Sequence, residues 1–171
     1  MNKTIRHDDA VVIALGSNLA GKYSSCLTLL EAALARFPAF GLVLVERSRW
    51  WRSSAWPNRA DPDYLNGVVL VETPRAPREV LEALLALEIE FGRRRSEANA
   101  PRTLDLDLIA HGRLEINEIG LILPHPRAHE RLFVMGPLAE IAPAWCHPVS
   151  GVAAEVLARE ASVGVDASRL V

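Results

Sequence analysis

Asp105 and Asp107 stand one residue apart in the stretch APRTLDLDLI, residues 100–109. On a strand, alternation puts both carboxylates on one face and Leu104, Leu106 and Leu108 on the other. Like charges about 7 Å apart on one strand face repel, so the pair needs a reason. One reason is a strand with a plain solvated face. The other is a hard divalent cation. Mg2+ takes oxygen ligands, keeps several waters, and is commonly held by one or two carboxylates together with substrate phosphates. Gly92-Arg93-Arg94-Arg95 lies just upstream, and Arg102 adjoins the aspartates. Arginines at a helix C-terminus complement its dipole. Beside a paired-carboxylate strand they also suit the charge of a metal-bound polyphosphate during phosphoryl transfer.

Other chemistry-bearing residues lie further along the chain. Tyr64 and Asn66 alternate at the head of an apolar run and share a face. A flat ring beside an amide that both donates and accepts suits a planar heterocycle; a strand-end aromatic and a turn asparagine are the plainer alternative. His125 sits between two prolines in LPHPRAHER, residues 123–131. With Arg131 it reads as a contact to phosphate or nucleotide, Phe133 supplying apolar surface. The His125/His129 spacing would suit a metal only on a helix, which Pro126 opposes. Gly16-Ser17-Asn18 is a turn signal without the spacing of a phosphate-binding loop, and no Gly-x-Gly-x-x-Gly follows a strand. Cys26 and Cys146 form neither a disulfide framework nor a zinc pattern, and His147 reads as a surface residue.

These residues need a framework. Residues 10–15 are an apolar run that ends at the Gly16 turn. Leu27, Leu30, Leu34 and Phe37 follow helical spacing within about 22–37, and Pro38 ends that helix. Residues 42–51 read as a strand, 53–63 as a long loop, and 64–72 as a second strand. Pro77 opens a helix with Val80, Leu84, Leu87 and Phe91 on its core face, ending at Gly92. A polar loop over 93–101 leads into the LDLDL strand. A turn at His111-Gly112 precedes a short LEI segment, and further helices are expected near 131–140 and 151–161. The order is that of a ferredoxin-like α+β fold, βαββαβ, with a mostly antiparallel sheet covered by helices and additional C-terminal helices. Residues 1–171 read as one domain, 1–9 being a flexible N-terminal extension.

Bulk properties narrow the function classes. A chain of 171 residues, 50% apolar and 23% charged, is too hydrophobic to be disordered and long enough for one core-bearing domain. A net charge of -2 argues against nucleic-acid or membrane binding driven by charge. Of the 19 basic side chains only Lys3 and Lys22 are lysines, a bias that reads first as compositional. The N-terminus has no apolar signal core, and no run approaches about 18 apolar residues. A cytoplasmic protein with no obligate protein partner is the expectation.

PRTLDLDLI, preceded by GRRR, by DPDYLNGVV and at the start by ALGSNL, and followed by LPHPRAHERLFVMGPLAEIAP, resembles the 6-hydroxymethyl-7,8-dihydropterin pyrophosphokinases of folate biosynthesis. The blocks run in family order from about residue 11 to 149. The resemblance implies transfer of a pyrophosphoryl group from ATP to the pterin hydroxymethyl oxygen, giving AMP and the pterin diphosphate. It implies two Mg2+ ions held by Asp105 and Asp107, and ATP contacts from Arg93, Arg95, Arg102, His125 and Arg131, with Arg93 and Arg102 catalytic. It places Tyr64, Asn66 and Phe133 against the pterin, and Ser53 and Ser54 at its backbone contacts. The SEANA segment, residues 96–100, is shorter than in many relatives and lacks their tryptophan. Another Mg2+-dependent phosphoryl or nucleotidyl transferase, and a non-catalytic pterin- or nucleotide-binding module, stand as alternatives.

Overall fold

β1 (Val11–Ser17) is buried along its whole length and β4 (Tyr64–Glu72) along most of it. Such continuous apolar strands arise where a sheet is covered on both faces. The computed structural model describes residues 7–94 and 100–171. The main sheet has the order β5-β1-β4-β3-β8, with β2 also paired to β4, and all its strand pairs are antiparallel. The remaining strands are β2 (Val43–Arg47), β3 (Trp51–Ser53), β5 (Asp105–His111) and the two-residue β8 (Ser168–Arg169). A hairpin of β6 (Ile116–Glu118) and β7 (Leu121–Leu123) forms a second, two-stranded sheet. The ferredoxin-like order expected from the sequence is present, its second strand split into β2 and β3.

One face packs on α1 (Cys26–Arg36) and α2 (Pro77–Glu90) through Ile13, Leu15, Leu30, Leu84, Leu106 and Leu108. The other packs on α3 (Leu132–Ile141) and α4 (Ala154–Glu160) through Val12, Val68, Leu70, Met135, Leu138 and Trp145. Each fully buried leucine or isoleucine contributes about 1.5–3 kcal/mol. Ser25 caps α1 by accepting the Thr28 N–H at 3.1 Å. Pro77 opens α2, where the Glu79 carboxylate accepts the Ala76 N–H at 2.8 Å.

The structure corrects the sequence reading in several places. Leu27 faces solvent, and Leu29 and Ala33 join Leu30 and Leu34 on the buried face of α1. The expected strand over 42–51 breaks at Ser48, whose N–H still donates to the Val68 carbonyl at 2.9 Å but whose hydroxyl takes the place of its carbonyl in the return bond. Its hydroxyl accepts the Val68 N–H at 3.0 Å and donates to the Arg49 carbonyl at 2.7 Å. The break lets the paired tryptophans straddle the sheet. Trp50 lies over Gly67, where a Cβ would come within 2.7 Å of the ring, and its Nε1–H donates to Glu31 at 3.0 Å. Trp51 packs on Gly136 of α3 and donates to Glu140 at 3.1 Å. The LEI segment extends into the β6–β7 hairpin because Leu121 and Leu123 drop into the α1/α2 core. His147 is buried rather than superficial, its Nδ1 accepting the Val149 and Ser150 N–H groups at 3.3 and 3.2 Å. At the N-terminus, His7–Asp9 form a 3-10 turn in which Asp8 accepts the Cys146 N–H at 3.1 Å.

Candidate active site at the open end of the sheet

Three rows of residues cross the α3/α4 face. Val12 pairs with Leu70 on β4 and Ala110 on β5, Ala14 with Val68 and Asp107, and Gly16 with Asn66 and Asp105. Both aspartates therefore share a face with the second hydrophobic core, which excludes the plain solvated-strand reading. A register shift between Val12 and Ile13 turns β5 from carboxylates to the buried Ile109 and Ala110. At Gly16 a Cβ would stand 3.6 Å from Asn66 Oδ1, 3.7 Å from Tyr64 and 3.9 Å from Asp105 Cβ. Any longer side chain there would occupy the space between the Tyr64/Asn66 pair and the carboxylate.

Asp105 is the electrostatic centre. Its Oδ1 accepts from Arg93 Nη1 at 2.9 Å and from Arg102 Nη1 at 3.1 Å. The Asp107 carboxylate has no hydrogen bond among the described residues. Burial first, then the charge of Asp105, holds its carboxyl above the ordinary aspartate range, while Arg131, Arg102 and Arg93 pull it back. An oxygen pair of this kind, one member already drawing two cationic groups and the other short of a partner, fits a hard cation. Among the described residues no group of three or more His, Cys, Asp or Glu could hold a metal. The protein thus offers two carboxylates, which is the protein's usual share in a Mg2+ site completed by water and phosphate.

Local structure fixes the arginines. Asn18, read from the sequence only as a turn residue, is buried and acts as a clamp. Its Oδ1 accepts the Arg102 N–H at 2.8 Å, its Nδ2 donates to the Pro62 carbonyl at 3.1 Å, and its backbone N–H donates to the Arg102 carbonyl at 3.1 Å. Arg93 follows the C-terminus of α2, where Gly92 takes φ +85°. Its Nη1 also pairs with Glu88, which is only 3% exposed and whose Oε1 accepts the Leu106 N–H at 2.7 Å. Burial pushes the Glu88 carboxyl up to about 7, against the Leu106 N–H and Arg93, which pull it down. Sequence reasoning passed over Glu88. Its signal was a carboxylate four residues after Leu84, on the buried stripe of α2.

The other expected residues divide into two groups. Tyr64 and Asn66 join the carboxylates. Asn66 Nδ2 donates to the Ser53 hydroxyl at 2.9 Å, which leaves Oδ1 turned toward Gly16. The Tyr64 hydroxyl is pushed up from its ordinary range by burial, with Arg102 acting in the opposite sense. Ser53 is buried beneath Asn66, and the Ser54 N–H is taken by Asp166 at 2.7 Å. Arg131, at the start of α3, reaches Asp107 and His125 electrostatically, and its guanidinium carbon lies 5.8 Å from the Phe133 ring centroid. Phe133 leans on the second core and on Gly164, where any Cβ would meet its ring. His125 donates its N–H to the Ile109 carbonyl at 2.8 Å, and its Nδ1 accepts the Arg127 N–H at 3.2 Å. Burial, followed by the Arg131 charge, lowers it to about 4, so it is neutral at pH 7 with its proton on Nε2. A groove of about 540 Å³ lined by His125, His129, His147 and Ile122 touches neither aspartate. Arg95 lies outside the described residues.

Comparison with known proteins places this geometry in context. The family model described as 7,8-dihydro-6-hydroxymethylpterin-pyrophosphokinase matches residues 12–143. A 2-amino-4-hydroxy-6-hydroxymethyldihydropteridine pyrophosphokinase of Synechocystis is 44% identical over 141 residues, covering 82% of this chain and 70% of that one. The Pseudomonas aeruginosa protein of the same description is 39% identical, covering 78% of this chain and 80% of its own length. The solved Plasmodium falciparum HPPK-DHPS structure superposes with a TM-score of 0.67 at 11% identity. That match covers 88% of this chain and 44% of the Plasmodium chain, and at such identity it speaks for the fold alone.

Proposed function

The chain belongs to the 7,8-dihydro-6-hydroxymethylpterin-pyrophosphokinase family, and on that premise we propose how its own residues carry out the reaction. It is an ATP-dependent pyrophosphokinase of folate synthesis, transferring pyrophosphate to 6-hydroxymethyl-7,8-dihydropterin. The pterin hydroxymethyl oxygen attacks the β-phosphorus, the bond from that phosphorus to the α,β-bridging oxygen breaks, and AMP leaves.

In our reading Asp105 and Asp107 would hold two Mg2+ ions, which would supply charge neutralisation and alignment of the polyphosphate. Arg93 and Arg102 exchange Asp105 for phosphate oxygens and stabilise charge on the transferred group. His125 offers its Nε2–H, and Arg131 its charge, to the phosphates of ATP; Arg95 adds a further ATP contact. Tyr64 and Phe133 give aromatic surface to the pterin. Asn66, held by the Ser53 hydroxyl, reads its polar edge through Oδ1, and Ser54 belongs to the same wall. Rate enhancement comes from positioning and charge stabilisation. We take residues 1–171 as one unit acting in the cytoplasm, with ATP and the pterin as its small-molecule partners. Among the described residues no helix is long and apolar enough to cross a membrane.

The observation that carries this reading is the convergence of Arg93 and Arg102 on Asp105 beside Asp107. The test uses ATP labelled at the β-phosphorus, with Mg2+ and the pterin. Label in the pterin diphosphate with stoichiometric AMP is expected. Label released as free pyrophosphate would mean nucleotidyl transfer and overturn the reading.

A further inference from the structure

Glu88 is a carboxylate on the buried face of α2, which it shares with Leu84 and Leu87 of the first core. Burying a charge is costly unless it is paired and hydrogen-bonded. Both conditions are met by atoms of the site. The Leu106 N–H, on the outer edge of the end strand and between the two aspartates, donates to Oε1 at 2.7 Å. Arg93 Nη1 pairs with that same oxygen and, at 2.9 Å, with Asp105 Oδ1. A glutamine would accept the Leu106 N–H equally well. The ionised form, which pairing with Arg93 favours against burial, therefore has one evident use, which is to hold Arg93.

We infer that Glu88 is the positioning residue for Arg93, keeping its guanidinium over the carboxylate pair when a cation or polyphosphate claims Asp105. Asp105 has several prospective partners, and Arg102 already shares its Oδ1. An arginine tethered only there would be released when the site fills. Glu88, sealed from solvent, holds Nη1 through one of its two N–H groups while the other N–H of that nitrogen turns from the Asp105 carboxylate to phosphate. The 2.7 Å bond to Leu106 fixes this anchor relative to the strand that bears both aspartates. The inference rests on the reading that Arg93 acts on the polyphosphate.

The test is a double-mutant cycle of Glu88→Gln and Arg93→Ala on the full chain, reading kcat, the KM for ATP, and thermal stability. A 15N–1H spectrum of the arginine Nη–H groups, with the Arg93 signal identified by its loss in Arg93→Ala, reports the tether directly, because a held Nη1 slows rotation about its bond to Cζ. Glu88→Gln is expected to melt close to the parent, to lower kcat about tenfold with a smaller change in KM, and to lose the slowed Arg93 signal. In the Arg93→Ala background Glu88→Gln should cost nothing further. Glu88→Asp, which keeps the charge, should recover part of kcat and of the signal; it replaces Glu88→Gln in the cycle if that variant does not fold. Losses that multiply in the double variant, or an Arg93 signal unchanged in Glu88→Gln, would overturn the inference and leave the site reading standing. A normal kcat in Arg93→Ala would overturn both.

Discussion

The α3/α4 face of the sheet has a closed end and an open end, built on the same three strands. At the closed end the row is Leu70, Val12 and Ala110, covered by Met135 and Leu138. Two rows on, it is Asn66, Gly16 and Asp105, met by arginines. Along β1 the side chains shrink from valine to alanine to glycine while the backbone pairing continues. The difference is one of volume and charge, and it teaches that this site is a core left unfilled. The sheet fixes the positions of Asp105 and Asp107 with the rigidity it gives to Val12 and Leu70, and the glycine supplies the room.

The comparison can be broken first at the carboxylates. Asp105→Ala or Asp107→Ala should lower kcat by a factor on the order of 10³ or more with the melting temperature little changed, since several kcal/mol of charge stabilisation would depend on the cation they are proposed to hold. Normal turnover in either variant at limiting Mg2+ would remove the metal assignment. Arg102→Ala should lower kcat by about 10²–10³, the effect of losing one preorganised charge stabiliser. Steady-state kinetics at saturating ATP measures it.

At the closed end the expected consequence changes kind. Met135→Ala, at a fully buried position, should cost about 2–5 kcal/mol in urea unfolding and leave kcat of the folded enzyme unchanged. Gly16→Val tests the taper itself. By filling the floor it should lower kcat/KM roughly 10²-fold, as a misplaced substrate does, while unfolding close to the parent. A valine that left catalysis intact would mean that the open row does not admit substrate.

The smallest effect concerns His125. Its pKa falls from 6.5 in the unfolded chain to about 4 in the folded one, so the unfolded state binds more protons between those values. Stability should therefore be lost as pH falls from about 6.5 toward 4. His125→Asn should flatten that part of a denaturation-against-pH curve.

Much of this was legible in the residues. The apolar spacings in α2 and the alternation of LDLDL each describe contacts within one element, which a sequence displays. Asp105, Asp107, Arg93 and Arg102 were legible because they crowd within fifteen residues of one another. Asn18 was not, because its role exists only once Arg102 and Pro62 fold against it, and a turn asparagine looks the same with or without them. The break at Ser48 depends likewise on Val68 across the strand. Leu27 misled because its spacing from Leu30 and Leu34 is helical, whereas the buried face is set by Leu29 and Ala33 against the sheet. Glu88 could have been found, since a carboxylate on a buried stripe is itself a signal.

The most direct measurement is a single-turnover experiment with β-labelled ATP and the pterin, comparing the parent with Asp107→Asn, which keeps the shape of the side chain and removes its charge. Labelled pterin diphosphate is expected from the parent, and none above a blank from the variant, with both proteins showing the same circular dichroism. Labelled pterin diphosphate formed by Asp107→Asn at the parental rate would contradict the proposed role of Asp107.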